Sequence, residues 1–286
     1  MLLLAAIAIP VGLDLYLPAP EDNPLTPEKI SLGRELFFDK RLSRDGSVSC
    51  STCHDPERAF SDGRSMAVGV FGRVGRRNAP ALINRGYGHL FFWDGRVSTL
   101  EEQVLKPIQD SNEMDLTLPE AAARTGVPAE EISRALASFV RSILSGGSPF
   151  DRFINGERAA LSAEEQAGLQ LFRGKANCVA CHVGPNFTDE RLHNTGIAWR
   201  DGRLTDDGAG HGDFKTPTLR EIARTSPYMH DGSFASLEDV IYYYDRGGNR
   251  NPGLDPELQP LHLSQAEKQS LLAFLRSLSG RIRDGQ

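Results

Sequence analysis

Apolar residues recur at helical intervals in four stretches of this 286-residue chain. Two of these stretches follow clear helix-start signals, because Thr26 directly precedes a proline and Ser162 forms a capping box with Glu165. The other two, residues 129–144 and 264–278, carry their apolar side chains at steps of three and four. No alternating apolar–polar pattern of the kind that marks a half-buried strand stands out. The pattern therefore predicts a mainly α-helical protein.

The chain also repeats itself, so that each half contains the same series of predicted elements. A Gly-x-x-Leu-Phe stretch begins at Gly33 and again at Gly168. Further along, one constant offset superposes the two halves without a gap. The matching positions are Pro80 with Pro217, Leu82 with Leu219, Asp94 with Asp231, and Thr99 with Ser236. We therefore expect an internal duplication into two helical domains, joined near Asn155 and Gly156.

All four cysteines lie in two copies of the motif C-x-x-C-H, one in each half. The residues are Cys50, Cys53 and His54 in the first copy and Cys178, Cys181 and His182 in the second. This motif attaches a c-type haem, because two thiols at this spacing can add to the two vinyl groups of one porphyrin. The histidine that follows is then placed to bind the iron. We therefore predict two cytochrome-c-like domains with one covalently bound c-type haem each.

Two other uses of the cysteines fit the sequence less well. Four cysteines and two histidines could form a structural zinc site, but the two motifs lie far apart in the chain and each has its own histidine. A thioredoxin-like redox pair does not need a histidine at the same place in both copies. Haem attachment accounts for the spacing, for both histidines and for all the cysteines.

The first residues of the chain bear on its cellular location, and its net charge bears on its partners. Residues 1–13 are almost wholly apolar, like the core of a secretory signal, although no basic segment precedes them. We predict a signal-like or membrane-anchoring segment at residues 1–21, followed by domains at 22–155 and 156–286. A terminal strand or helix packed on the protein is the alternative. Covalent haem attachment usually accompanies export, so we expect a periplasmic location. The net charge of −6 gives no sign of a nucleic-acid partner.

The iron of each haem has a sixth position, and the residue that fills it decides the chemistry. A filled position favours electron transfer, whereas an open one allows a small ligand to bind and react. The predicted helix after the second Asp-Gly turn contains Tyr242, Tyr243 and Tyr244. The offset between the halves places Tyr244 on Pro107, which has no atom to donate to iron. We therefore predict an open first haem and a second haem whose iron is bound by Tyr244.

Several longer motifs extend this interpretation. They are F-W-D-G-R at 92–96, L-E-E-Q at 100–103, N-E-M at 112–114 and T-S-P-Y-M-H-D-G at 225–232. With these motifs the chain resembles the bacterial dihaem cytochrome c peroxidase family, and within it the MauG-like branch, over nearly all residues from 25 to 280. Peroxidases proper carry a methionine where Tyr244 stands, and many hold a distal histidine in a loop that corresponds to residues 68–77. This loop contains no histidine here, so the resemblance implies a first haem that is open without prior reduction.

The resemblance also implies roles for four residues near the first haem. Glu113 would move the proton that peroxide cleavage requires, and Gln103 would hydrogen-bond in the distal pocket beside Pro107. Trp93 would lie between the haems and relay an electron. The oxidant would be hydrogen peroxide, and the electrons would come from a protein substrate or, alternatively, from a small electron-carrier protein. A dihaem electron carrier without catalysis is a third hypothesis, which the open position at Pro107 disfavours.

A calcium ion between the domains is a further implication of the resemblance. Asn78 would provide its side-chain oxygen, and Thr225 and Pro227 would provide backbone carbonyls. Calcium prefers oxygen ligands, so this set suits it, with water completing the coordination.

Overall fold

In the computed structural model, which describes residues 7–285, helices dominate and the strands are short. The helices of this range are α1 (Pro27–Phe38), α2 (Cys50–Cys53), α3 (Leu100–Gln103), α4 (Leu105–Gln109), α5 (Leu118–Thr125), α6 (Ala129–Ser142), α7 (Pro149–Ile154), α8 (Ala163–Arg173), α9 (Leu237–Asp245) and α10 (Gln265–Arg276). The strands are β1 (Ile143–Gly146), β2 (Leu192–His193), β3 (Trp199–Arg200), β4 (Arg203–Leu204), β5 (Phe214–Lys215) and β6 (Arg281–Asp284). They form three antiparallel pairs, which are β1 with β6, β2 with β5, and β3 with β4.

The predicted helix starts are confirmed. The Thr26 hydroxyl accepts a hydrogen bond from the backbone N–H of Lys29 at 3.3 Å, and Ser162 forms the expected capping box at the start of α8. The helix predicted at 129–144 ends earlier, at Ser142, because the chain continues as β1. All four residues of β1 are buried, so this strand shows no alternation of apolar and polar positions in the sequence.

Two separate hydrophobic cores, one in each half, are built in the same way. In the first half α1 packs on α6, and the rings of Phe37 and Phe139 lie 5.0 Å apart at an angle of 59°. In the second half α8 packs on α10, and the rings of Phe172 and Phe274 lie 5.1 Å apart at 59°. The predicted duplication is therefore present in the packing as well as in the sequence.

The glycine of each Gly-x-x-Leu-Phe stretch allows these helices to touch. A Cβ atom on Gly33 would lie 2.0 Å from the carbonyl oxygen of Ala135, and one on Gly168 would lie 1.9 Å from that of Ser270. Both distances are far inside van der Waals contact with backbone that cannot rotate away. The repeated glycine is therefore a packing requirement of both helix pairs.

Gly168→Ala is expected to lower the free energy of unfolding by about 1–3 kcal/mol or more, because α8 and α10 would have to move apart. Urea unfolding followed by circular dichroism measures this change. Gln170→Ala, at an exposed position of the same helix, is the matched control and should cost less than about 0.5 kcal/mol. Equal stability of the two variants would contradict the packing requirement.

The turns that follow the haem motifs along the chain also match between the halves. Left-handed backbone occurs at Asn84 (φ 57°) and Glu221 (φ 61°), and again at Phe92 (φ 64°) and Met229 (φ 73°). The members of each pair are equivalent positions of the sequence repeat. An isolated β-bridge also closes the turn around the Asp-Gly pair in both halves. The sequence repeat is therefore also a repeat of backbone conformation.

The start of the described chain lies against both halves. The Gly12 carbonyl accepts a hydrogen bond from the buried Arg220 guanidinium at 2.8 Å, and the Asp14 carbonyl accepts one from the Tyr87 hydroxyl at 2.8 Å. Of the signal-like segment predicted at 1–21, the first six residues lie outside the described residues. Within the described range, no helix combines the length and the apolar character that crossing a bilayer requires.

Candidate dihaem active site

A continuous cavity of about 630 Å³ lies between the two halves of the chain. Both C-x-x-C-H motifs line it, and so do Pro107 and Tyr244, the two positions that the repeat equates. None of the four cysteines forms a disulfide, so all four thiols are available to hold a cofactor. The structure thus brings the predicted haem residues together around one space.

The histidines of the two motifs each turn Nδ1 toward a backbone carbonyl. Nδ1 of His54 lies 3.2 Å from the carbonyl oxygen of Phe60, and Nδ1 of His182 lies 2.9 Å from that of Phe187. A proton on Nδ1 leaves the lone pair of Nε2 free for a metal. Burial lowers the pKa of His54 to about 4 and also lowers the pKa of His182, so both rings are neutral at pH 7. These residues therefore fit two histidine-bound haems.

The helices that follow the Asp-Gly turns differ between the halves. In the second half α9 is continuous, whereas in the first half two short helices, α3 and α4, meet at Val104. Pro107 explains this break, because it has no N–H to donate to the carbonyl of Gln103 one turn earlier. At the position where α9 presents a tyrosine, the first half therefore presents a residue without a metal-binding atom.

Of the three consecutive tyrosines in α9, Tyr244 is the one that lines the cavity. The exposed Tyr242 donates a hydrogen bond to Gln265 at 2.8 Å, and Tyr243 donates one to the carbonyl of Thr195 at 2.7 Å. Burial raises the pKa of Tyr244, so its phenol stays neutral at pH 7 unless a metal ion displaces the proton.

Glu113 and Gln103 both line the cavity, and the Glu113 carboxyl lies beside the first haem motif. The loop at 68–74 lies over Glu113, because the N–H of Val70 donates to the Glu113 carbonyl at 2.8 Å. Burial raises the pKa of the Glu113 carboxyl to about 7, and the negative charge of Asp110 adds to this shift. A carboxyl group with a pKa near 7 can both accept and return a proton at neutral pH.

Trp93 lies in the wall of the same cavity, where the two halves meet. Its indole N–H donates to the carbonyl of Asn78 at 2.9 Å, and its own carbonyl accepts a hydrogen bond from the N–H of Lys215 at 2.7 Å. The backbone carbonyl of His230, the repeat partner of Trp93, accepts a hydrogen bond from the N–H of Asn78 at 2.7 Å. The imidazole ring of His230 stacks on the ring of Phe214, with 3.7 Å between the ring centroids. These contacts hold the two halves together around the indole.

The three residues predicted to bind calcium also line the cavity. The side-chain N–H of Asn78 donates to the carbonyl of Arg64 at 2.6 Å, which leaves Oδ1 available to a cation. Among the described residues, none donates a hydrogen bond to this Oδ1 or to the carbonyls of Thr225 and Pro227. Oxygen atoms without donors suit a hard cation, so the set is compatible with calcium.

Sequence reasoning missed a group of buried charges in the cavity wall. Arg85 and Lys215 both line the cavity, and Arg85 forms an ion pair with Glu190 at 2.6 Å. These residues are scattered along the chain and belong to no short motif. Lys215 could have been found from the sequence repeat, because the offset between the halves aligns Lys215 with Asn78.

Comparisons with known proteins identify the family of the chain. A family model described as di-haem cytochrome c peroxidase matches residues 27–159, and one described as cytochrome c matches residues 165–279. The methylamine utilization protein MauG of Methylorubrum extorquens is 42% identical over 91% of this chain and 81% of its own length. The cytochrome-c peroxidase IdrP1 of Denitromonas iodatirespirans is 36% identical over 94% of this chain and 86% of its own length.

Solved structures share the architecture. A MauG-like protein associated with microbial copper homeostasis matches with a TM-score of 0.85 and 34% identity, over 94% of this chain and 95% of that chain. The diheme peroxidase BthA of Burkholderia thailandensis matches with a TM-score of 0.77 and 24% identity over 90% and 87%, which supports the fold alone. The site and these matches together show that the chain belongs to the di-haem cytochrome c peroxidase family, to which MauG belongs, and that it is a peroxidase-type oxidoreductase with two c-type haems.

Proposed function

We propose that this protein is a MauG-like, periplasmic dihaem oxidase that uses hydrogen peroxide at an open first haem to oxidise a partner protein. The observation that carries the proposal is the contrast between Pro107 and Tyr244 at equivalent positions of one cavity. Tyr244 and His182 would both hold the second iron, while the iron held by His54 would have no second protein ligand. A pure electron carrier would gain nothing from this difference between its halves.

When bound, each haem supplies an iron centre that can react with peroxide or store oxidising equivalents. The chain itself supplies proton transfer. The Glu113 carboxylate would accept the proton from one oxygen of H2O2 and give it to the other, which leaves as a first water when the O–O bond breaks. The remaining oxygen would leave as a second water once two electrons and two protons have been supplied. The amide of Gln103 donates a hydrogen bond that orients the peroxide for this transfer. The two electrons that the cleavage consumes are later returned by the partner protein.

The second half would store and deliver the oxidising power. An anionic Tyr244 favours higher oxidation states of a bound iron more than a neutral methionine would. Trp93 lines the cavity that both motifs share and would relay electrons from the second half to the first. Its hydrogen bond to Asn78 keeps the indole in one orientation.

We also propose that Asn78, Thr225 and Pro227 hold one calcium ion, and that the domain boundary lies at residues 155–156. The oxygen atoms without donors support the first proposal, and the two separate cores support the second. The membrane tether at residues 1–21 stays a prediction.

The alternative is a cytochrome c peroxidase that reduces H2O2 to water with electrons from a small carrier protein, and the likeness to IdrP1 favours it. Rapid mixing of the fully oxidised protein with one equivalent of H2O2 separates the two functions. We expect peroxide to be consumed at once, because the loop at 68–77 has no histidine that could block the first iron. A cyanide-treated sample is the control and should not react. If reaction requires prior one-electron reduction, the first iron is closed in the oxidised protein and the proposed function is contradicted.

A further inference from the structure

The duplication pairs Asn78 of the first half with a buried lysine of the second, Lys215. The two positions make equivalent contacts across the junction. The N–H of Asn78 donates to the carbonyl of His230, and the N–H of Lys215 donates to the carbonyl of Trp93, both at 2.7 Å. His230 and Trp93 are themselves repeat partners, so the junction has approximate twofold symmetry. Both Asn78 and Lys215 line the cavity.

The ammonium group of Lys215 has few partners for a buried charge. The residue is only 8% exposed, and Nζ lies 3.7 Å from Oε1 of Glu190, beyond hydrogen-bond distance. Its other contact is the carbonyl of Thr216 at 3.3 Å, which already accepts a hydrogen bond from Thr188 at 2.6 Å. An ammonium can donate three hydrogen bonds, so Lys215 retains donor capacity inside the cavity wall.

The carboxylate beside Lys215 is shared with a second cation. The carboxylate of Glu190 is bound by Arg85 at 2.6 and 3.1 Å and also faces Lys215, so one negative charge faces two positive charges. Asp189, a second carboxylate whose charge acts on Lys215, is hydrogen-bonded to His193 at 2.9 Å. Burial lowers the pKa of Lys215 to about 7, and the nearby charge of Arg85 adds to this shift. A buried charge of this kind is stable only if a negative group pairs with it.

A c-type haem carries two propionate carboxylates, and these are the negative groups that such a cavity receives with its cofactor. Lys215 belongs to the stretch that packs beside the second haem motif, where its charge adds to the effect of burial in lowering the pKa of His182. We propose that the Lys215 ammonium binds a propionate of the second haem. It would thus supply a positive charge at the position that Asn78 occupies in the first half. This inference rests on the proposed placement of the second haem on His182.

A positive charge next to a haem favours the reduced state, because reduction adds a negative charge to the site. Lys215→Met should therefore lower the reduction potential of the second haem and shift that of the first haem less. Lys215→Arg should retain most of the wild-type value. Lys40→Met, at an exposed position in the first half, is the control and should shift neither haem. Spectroelectrochemical titration of the complete dihaem protein measures both potentials without any substrate.

The pH dependence distinguishes a paired lysine from a free one. If a propionate binds Lys215, its pKa rises, and the potential difference between wild type and Lys215→Met should stay constant from about pH 6 to 9. A free Lys215 would lose its charge above about pH 7, and the difference would vanish there. The proposal would be overturned if the difference in reduction potential vanished above about pH 7. It would also be overturned if Lys215→Met changed neither potential or changed both haems equally. If Lys215→Met fails to fold, Lys215→Gln serves in the same comparison. The titration uses no partner protein and no peroxide. A negative result would therefore contradict the role of Lys215 but not the proposed function. A protein that fails to react with peroxide would contradict the proposed function but not the role of Lys215.

Discussion

Glu113→Gln is expected to lower the rate constant for peroxide consumption by about 10²–10⁴-fold, the usual contribution of a positioned acid–base group. The amide has nearly the size of the carboxyl group but cannot accept a proton and return it. The side chain has no hydrogen-bond partner among the described residues, so the substitution breaks no hydrogen bond. Stopped-flow mixing of the oxidised protein with excess H2O2 measures the rate constant directly.

The pH profile tests the same residue independently. Because burial raises the pKa of Glu113 to about 7, the carboxylate that accepts the proton is the minor form below pH 7 and the major form above it. The wild-type rate constant should therefore rise with pH through about 7, and this rise should be absent in Glu113→Gln. Glu102→Gln is the matched control, because its side chain is 51% exposed beside Lys106. A near wild-type rate in Glu113→Gln would remove this residue from the mechanism.

Tyr244→Phe is expected to abolish oxidation of the partner protein while the first haem still reacts with peroxide. The phenol oxygen is the only atom of this side chain that can bind iron, and phenylalanine keeps the packing of the ring. We expect at least a roughly 100-fold loss, because losing even a residue that only supports a metal ligand costs about 10–100-fold. Single-turnover assays that separate peroxide consumption from partner oxidation measure the two steps.

Two neighbouring tyrosines provide controls for this variant. Tyr242→Phe removes an exposed hydroxyl that bonds Gln265, and Tyr243→Phe removes a hydroxyl that bonds the carbonyl of Thr195. Neither variant should change the ligand set of the second haem. If Tyr242→Phe and Tyr244→Phe reduce partner oxidation equally, the effect belongs to the helix and not to an iron ligand.

Most of the site could be predicted because its requirements are local or repeated. Two thiols must fit one porphyrin edge, so Cys50 and Cys53 identify their function by spacing alone. The contrast between Pro107 and Tyr244 follows from aligning one half on the other. Gly168 was conspicuous for the same reason, although only the structure shows that it contacts Ser270.

The features that could not be predicted depend on contacts between distant parts of the chain. Strand β1 is wholly buried and pairs with β6 at the other end of the chain, so neither local alternation nor a hairpin turn indicates it. The contact between Gly12 and Arg220 spans 208 residues. The pairing of Arg85 with Glu190 likewise depends on how the two halves meet, which no periodicity encodes.

The central claim is that the two halves differ at the sixth position of iron, open in the first and filled by Tyr244 in the second. Electron paramagnetic resonance of the oxidised protein, as isolated and without added ligands, tests it most directly. An open ferric haem gives a high-spin signal, and a haem with two strong protein ligands gives a low-spin signal. We predict one of each in equal amounts. Two low-spin haems would contradict the account, because both iron atoms would then be closed to peroxide.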